Sequence, residues 1–203
     1  MQTLGLSGET KRSDGRLKSI FWPTVENAWD VDYLGQQGFW ICAFIAVFQL
    51  AVALISGNII LAVSGIVTAI VFFIGGMGVR EASWPAAAMV FAIYLTGILF
   101  SLASGQPPNV LTIIAAAVLL SNVRAAFLAS EWRPLQEGED RPTRFSETIS
   151  DKLVDQLPQK AWPVLKVFFF SLASLLLLLG VLGLAGALLL RSGLIHGLNP
   201  AHN

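Results

Sequence analysis

Charge is what this chain has least of. Only 13% of its 203 residues are Asp, Glu, Lys or Arg, about half the share in soluble domains. Thirteen basic residues balance thirteen acidic ones, so the net charge is zero with His neutral. That balance excludes a strongly basic nucleic-acid binder and an acidic disordered tail. A single Cys excludes an intramolecular disulfide framework and a Cys-based metal site. Gly and Pro, eighteen and nine in number, are unclustered, which excludes collagen-like and low-complexity character. What the chain has instead is apolar surface: 55% hydrophobic residues and a mean hydropathy of +0.67. This is the composition of an integral membrane protein.

The positions of the missing charges give the architecture. None occurs across the 47 residues from Tyr33 to Val79, the 42 from Ala82 to Val123, or the 24 from Val167 to Leu190. A spanning helix needs about 20 apolar residues, so the first two stretches each hold two helices and the third holds one. Ser56-Gly57-Asn58 divides the first stretch, and the Pro107-Pro108 turn from Ser104 to Asn109 divides the second. The expected fold is all-α, with five transmembrane helices at about 39–56, 59–78, 85–103, 110–130 and 164–190. They form two in–out–in hairpins and a C-terminal span, with cytoplasmic amphipathic helices between. The runs are apolar on all sides rather than alternating, which argues against a barrel. The chain divides into an N-terminal segment (1–38), a four-span core (39–130), a loop (131–163), the fifth span and a tail (191–203). The first apolar run begins only at Phe39 with no small-residue cleavage site after it, so the first 38 residues are expected to stay attached.

Basic residues set the expected orientation. With the N-terminus in the cytoplasm, twelve Lys and Arg lie inside, counting Arg124, and only Arg191 lies outside. Trp40, Trp84, Trp132 and Trp162 all fall at the same predicted rim, where they are expected to anchor the bundle at the interface.

Two segments outside the spans have helical patterning. Trp22, Val25, Trp29 and Tyr33 recur at spacings of three and four, which predicts a helix over 20–37 lying in the interface plane. Phe145, Ile149, Leu153 and Leu157 recur every four residues, with Glu147, Asp151 and Asp155 elsewhere around the helix. That stripe buries either against its own bundle or against a partner protein.

Candidate chemistry is sparse. Arg124 is the only charge well inside a span, roughly 6–9 Å from its end at 1.5 Å per residue. Either it snorkels or pairs with Glu81 or Glu131, or it belongs to a functional site that includes Asn122. Gln49 and Tyr94, in the middle of spans one and three, each need a partner that lipid does not offer, so both are expected to face the bundle interior. These four residues are the candidate polar cluster. Gly180, Gly183 and Gly186 recur every third residue in span five, and Gly75 and Gly78 do so in span two, marking faces for close helix packing. Cys42 reads as a small hydrophobe, and His196 and His202 in the tail lack further ligands for a metal. No Asp, Glu or His falls within any expected span, which disfavours acid-based catalysis and proton relay. No cofactor is expected.

A tandem pattern is also visible. Trp40 precedes Arg80, and Trp84 precedes Arg124, by the same 40 residues, each pair bracketing one hairpin. Gln37-Gly38 before span one, the Arg80 to Ala87 run opening span three, and Asn122-Val123-Arg124 near the end of span four carry a resemblance. Over residues 37–132 the chain resembles small bacterial four-span membrane proteins whose function is uncharacterised. The resemblance implies a four-span core and a shared pattern for Asn122 and Arg124, and no activity. The expected role is a non-enzymatic scaffold or accessory subunit in the cell inner membrane, in contact with lipid and with a membrane-protein partner or further copies of itself, and not with nucleic acid. The alternative is a small oligomeric transporter or channel around Arg124.

Overall fold

The computed structural model describes residues 22–26, 28–131 and 148–192. Of these, 88% are helical, with no strand among them. Five helices follow one another: α1 (Ala28–Ile55), α2 (Ile59–Arg80), α3 (Trp84–Ala103), α4 (Val110–Glu131) and α5 (Ile149–Arg191). All five are long and apolar enough to cross a membrane, the architecture of a multi-pass membrane protein.

The turns form where local chemistry permits them. Asn58 caps α2 by accepting hydrogen bonds from the Ile60 and Leu61 N–H groups, which otherwise have no intrahelical acceptor. Asn109 does the same for Thr112 at the start of α4. Between α2 and α3 the chain reverses over three residues. The Ser83 N–H reaches the Gly78 carbonyl at 3.0 Å and the Ala82 N–H reaches that of Val79 at 3.0 Å, the paired bonds of a Schellman stop. That stop requires a left-handed residue at Ala82, whose φ is +52°, where glycine is the usual occupant.

Two expectations change. The helix over 20–37 in the interface plane is not separate from span one. Residues 23–26 carry no regular structure, and α1 starts at Ala28 and runs unbroken past Phe39. Tertiary packing explains the continuity. A Cβ on Gly35 would lie 3.2 Å from the Val79 carbonyl oxygen, and one on Gly38 would lie 2.5 Å from Asn122 Oδ1. The early turns of α1 are thus held along the axis of the span by α2 and α4 instead of lying flat. The Glu26 N–H donates to Asp30 Oδ2 and folds the preceding segment back onto the first turn.

The loop helix and span five are likewise one helical run. Its first part, Ile149–Asp151, opens with a Thr148–Asp151 capping box. A π turn over Lys152–Gln156 follows, in which the Leu157 N–H donates to the Lys152 carbonyl. Pro158 has no N–H for the ordinary bond to Val154, and the wider turn absorbs that loss. The π turn adds a residue to the register. The buried face is therefore Val154, Asp155, Pro158 and Trp162, one residue beyond the expected stripe. Ile149 is 86% exposed, while Leu153 and Leu157 are partly buried at the flank of the core. Phe145, Glu147 and Trp132 lie outside the described residues.

α1 packs on α2 and α4, and α3 packs on α2, α4 and α5, with α2 also against α5. The packing is uneven along the bundle. Most buried residues run from Asp30 to Ala46 in α1, from Val71 to Arg80 in α2, from Ala86 to Ile93 in α3, from Val118 to Ala126 in α4 and from Val154 to Ala173 in α5. These ranges lie toward the end that carries the charged residues, while Ala53, Gly65 and Ala69 are buried nearer the other end, where α1 meets α2. Toward the opposite end, which carries the two neutral turns, almost every side chain is half-buried or exposed.

Candidate functional site

At the charged end one arginine gathers three helices. Arg80, in the last turn of α2, is 3% exposed. Its Nη1 donates to Asp32 Oδ1 at 2.7 Å and to the Asp32 carbonyl at 2.9 Å, while Nη2 reaches Asp32 Oδ2 at 3.1 Å. Nη2 and Nε also donate to Asp155 Oδ1, at 2.6 and 3.2 Å. The guanidinium fork suits this use, because it presents several donors in one plane. The cluster fixes the start of α1, the end of α2 and the π turn of α5 to one another.

Arg124 fastens a different segment. Its Nη1 donates to the Pro23 carbonyl at 2.9 Å, and its Cζ lies 4.9 Å from the centre of the Trp22 ring. This is a cation–π contact joined to a hydrogen bond. Neither Glu81 nor Glu131, the acids expected from the sequence, pairs with it among the described residues. Asn122 points elsewhere, donating to the Val118 carbonyl and filling the space over Gly38. Arg124 and Asn122 therefore belong to the packed charged half.

Gln49 and Tyr94 are in another place. Both line a half-open groove of about 1660 Å³ framed by all five helices. It extends from Tyr33, Gln36 and Gln37 on α1 to Gln106 and Asn109 in the neutral turn. The volume exceeds the roughly 300–1,000 Å³ of ordinary small-molecule pockets. No Asp, Glu, Lys, Arg or His is among its lining residues. Tyr94 Oη donates to the Thr112 carbonyl at a long 3.4 Å. Thr68 and Thr96 satisfy themselves on their own helices. Gln36, Gln37 and Gln49 make no hydrogen bond among the described residues.

The expected four-residue cluster thus resolves into two pairs. Gln49 and Tyr94 share the groove, while Arg124 and Asn122 hold the bundle together. The glycines of α5 also divide. A Cβ on Gly180 would meet Thr96 Cγ2 at 3.0 Å, and one on Gly183 would meet Phe100 only at 3.8 Å. One on Gly186 would meet nothing within 4 Å. In α2, by contrast, a Cβ on Gly75 would lie 2.5 Å from Val90, and one on Gly78 2.6 Å from both Ala86 and Trp162. Trp40 and Trp84 are 43% and 44% exposed, whereas Trp162 is 8% exposed and packs on Phe169 and Phe170. Its role is in the core.

The Arg80 cluster was not legible as a site from the sequence. Its only signal was a lone cation between two long uncharged stretches, and its partners lie 48 and 75 residues away. No group of three metal-ligating side chains occurs among the described residues.

No family model, curated protein or solved structure matches the chain.

Proposed function

We infer that the protein is a non-enzymatic accessory subunit of a membrane complex, one that meets its partner through the charged end. The observation that carries this reading is the Arg80 cluster. It locks the first turns of α1 and the start of α5 into one platform, and apolar side chains are exposed on both of these helices. Ile149 on α5 is 86% and Trp29 on α1 45% exposed, and Lys152 and Lys160 on α5 are exposed as well. Apolar side chains flanked by charge at a rigid surface suit a protein partner.

The twelve-to-one division of basic residues supports a platform in the cytoplasm and a C-terminus outside, and the reading takes the membrane to be a bacterial-type inner membrane. Reporter fusions after Ser56, Ala103 and Asn203 should read external, and those after Arg80 and Gly138 internal. For the function, cross-linking of the tagged chain in cells should enrich one partner, and Ile149→Asp should abolish that enrichment. A monomeric chain with no enriched partner contradicts the reading.

The groove favours a second reading, a small transporter. Its lining reaches from residues near the charged end to the neutral turn, and its polar site would be Gln49 and Tyr94 rather than Arg124. Solute flux in reconstituted vesicles that falls on Gln49→Leu would support it, and flux unaffected by that change would oppose it.

A further inference from the structure

Gln49 presents a problem that the bundle does not solve. It lies nine residues beyond the rim residue Trp40, so about 13 Å deep at 1.5 Å per residue, close to the middle of a hydrocarbon core of about 30 Å. Its carboxamide lines the groove and has no hydrogen-bond partner among the described residues. Gln36 and Gln37, before Trp40, lie at interface depth, where water reaches them. Gln49 does not have that recourse. In hydrocarbon an unpaired amide is costly, and a partner helix would relieve it only by bringing a polar side chain to that depth, since its backbone groups are already bonded to one another.

We propose that the groove is a binding site for a neutral long-chain lipid whose compact head, bearing a carbonyl or hydroxyl oxygen, sits at the depth of Gln49 and Tyr94. Three features select this chemistry. The lining carries no charge, so a phosphate or ammonium head entering it would lose its solvation without gaining a counter-ion. The Gln49 amide both donates and accepts, which serves a carbonyl or a hydroxyl equally. Phe44, Phe48 and Phe72 line the same space, an apolar and aromatic bed for the chain or for a planar head. Because the groove is half-open in a chain that spans the membrane, such a ligand enters from the bilayer without crossing water. This proposal is independent of the partner reading, since it concerns the purified chain alone.

The test uses the full chain in phosphatidylcholine vesicles with two photoactivatable probes, a diacylglycerol and a decyl-chain benzoquinone. Peptides labelled on irradiation are identified by mass spectrometry. The proposal expects saturable labelling by at least one probe around Gln49 or Tyr94, displaced by the same unlabelled lipid and not by added phosphatidylcholine. The probe that saturates names the source, with the hydroxyl head in one arm and the quinone carbonyls in the other. Gln49→Leu, which suits the membrane depth and leaves elution volume unchanged, should raise the half-saturating concentration about tenfold, the loss of one buried hydrogen bond. Ala115→Trp, which fills the groove, should abolish saturable labelling. Labelling that does not saturate, that phosphatidylcholine displaces equally, or that both variants leave unchanged overturns the proposal. So does a second polypeptide cross-linked within the groove.

Discussion

The two halves of this bundle are built from the same apolar helices and hold together by different means. In the charged half, glycines at 35, 38, 75 and 78 bring backbones and side chains into contact closer than a methyl group allows. Arg80 and Arg124 then tie the ends with charge-assisted hydrogen bonds. In the neutral half α1 and α2 still meet closely at Gly65, where a Cβ would lie 2.9 Å from that of Ala53, but the bundle opens around a groove. Among the described residues, only two side-chain hydrogen bonds join helices there: Tyr94 to Thr112, and Arg191 to the Leu102 carbonyl at 3.3 Å. The difference teaches that apolarity alone does not close a bundle in lipid, where the hydrocarbon outside competes equally for apolar side chains. Small residues and internal polar pairs close it, and these are concentrated at one end.

The largest effect should come from Arg80. Arg80→Leu leaves Asp32 and Asp155 without their shared cation in a partly buried site, and should cost about 3–5 kcal/mol. Thermal unfolding in detergent, followed by retention of the monodisperse peak, measures it. Gly78→Leu forces a side chain against Ala86 and Trp162 and should cost about 1–3 kcal/mol. Gly186→Leu, on the same assay, should change stability by about 0.5 kcal/mol or less. Equal effects from the two glycines would erase the contrast between the halves.

The paired arginines sharpen the same comparison. Each occupies the same offset behind a rim tryptophan, yet Arg80 binds two carboxylates and Arg124 binds a carbonyl and an indole face. Arg124→Gln should therefore cost less than Arg80→Leu, about 1–2 kcal/mol, and should release the Trp22 segment. Loss of Trp22 fluorescence shielding, read by quenching in a variant whose other tryptophans are Phe, reports that release. Smallest of all, Tyr94→Phe removes a single long hydrogen bond in the open half and should cost about 0.5 kcal/mol.

The spans were legible in the sequence because they are a property of composition. A stretch of 47 residues without charge has to be satisfied by helices, and Gly57 and the Pro107-Pro108 pair leave few places for the turns. What the pattern could not show was phase and partnership. One residue added by the π turn at Lys152–Gln156 moves the buried face of α5 off the stripe that regular spacing marks out. Asp155 therefore reads as solvent-facing in the sequence and lies buried against Arg80 in the fold. The continuity of α1 depends on α2 and α4 meeting Gly35 and Gly38, contacts with no local signature. Polar residues at mid-span were legible as needing partners. Which of them shared a site was not, because helix rotation decides whether Asn122 faces Gly38 or Gln49.

The contrast between a fixed charged half and an open neutral half is open to direct measurement. Pairs of spin labels in the full chain, reconstituted in vesicles with Cys42 replaced by Ala, measure it by pulsed dipolar spectroscopy. Labels on Trp29 and Lys152 should give a narrow distance distribution. Labels on Leu54 and Leu102 should give a broad one. Equally narrow distributions at both ends, or a broad one at the charged end, would contradict it.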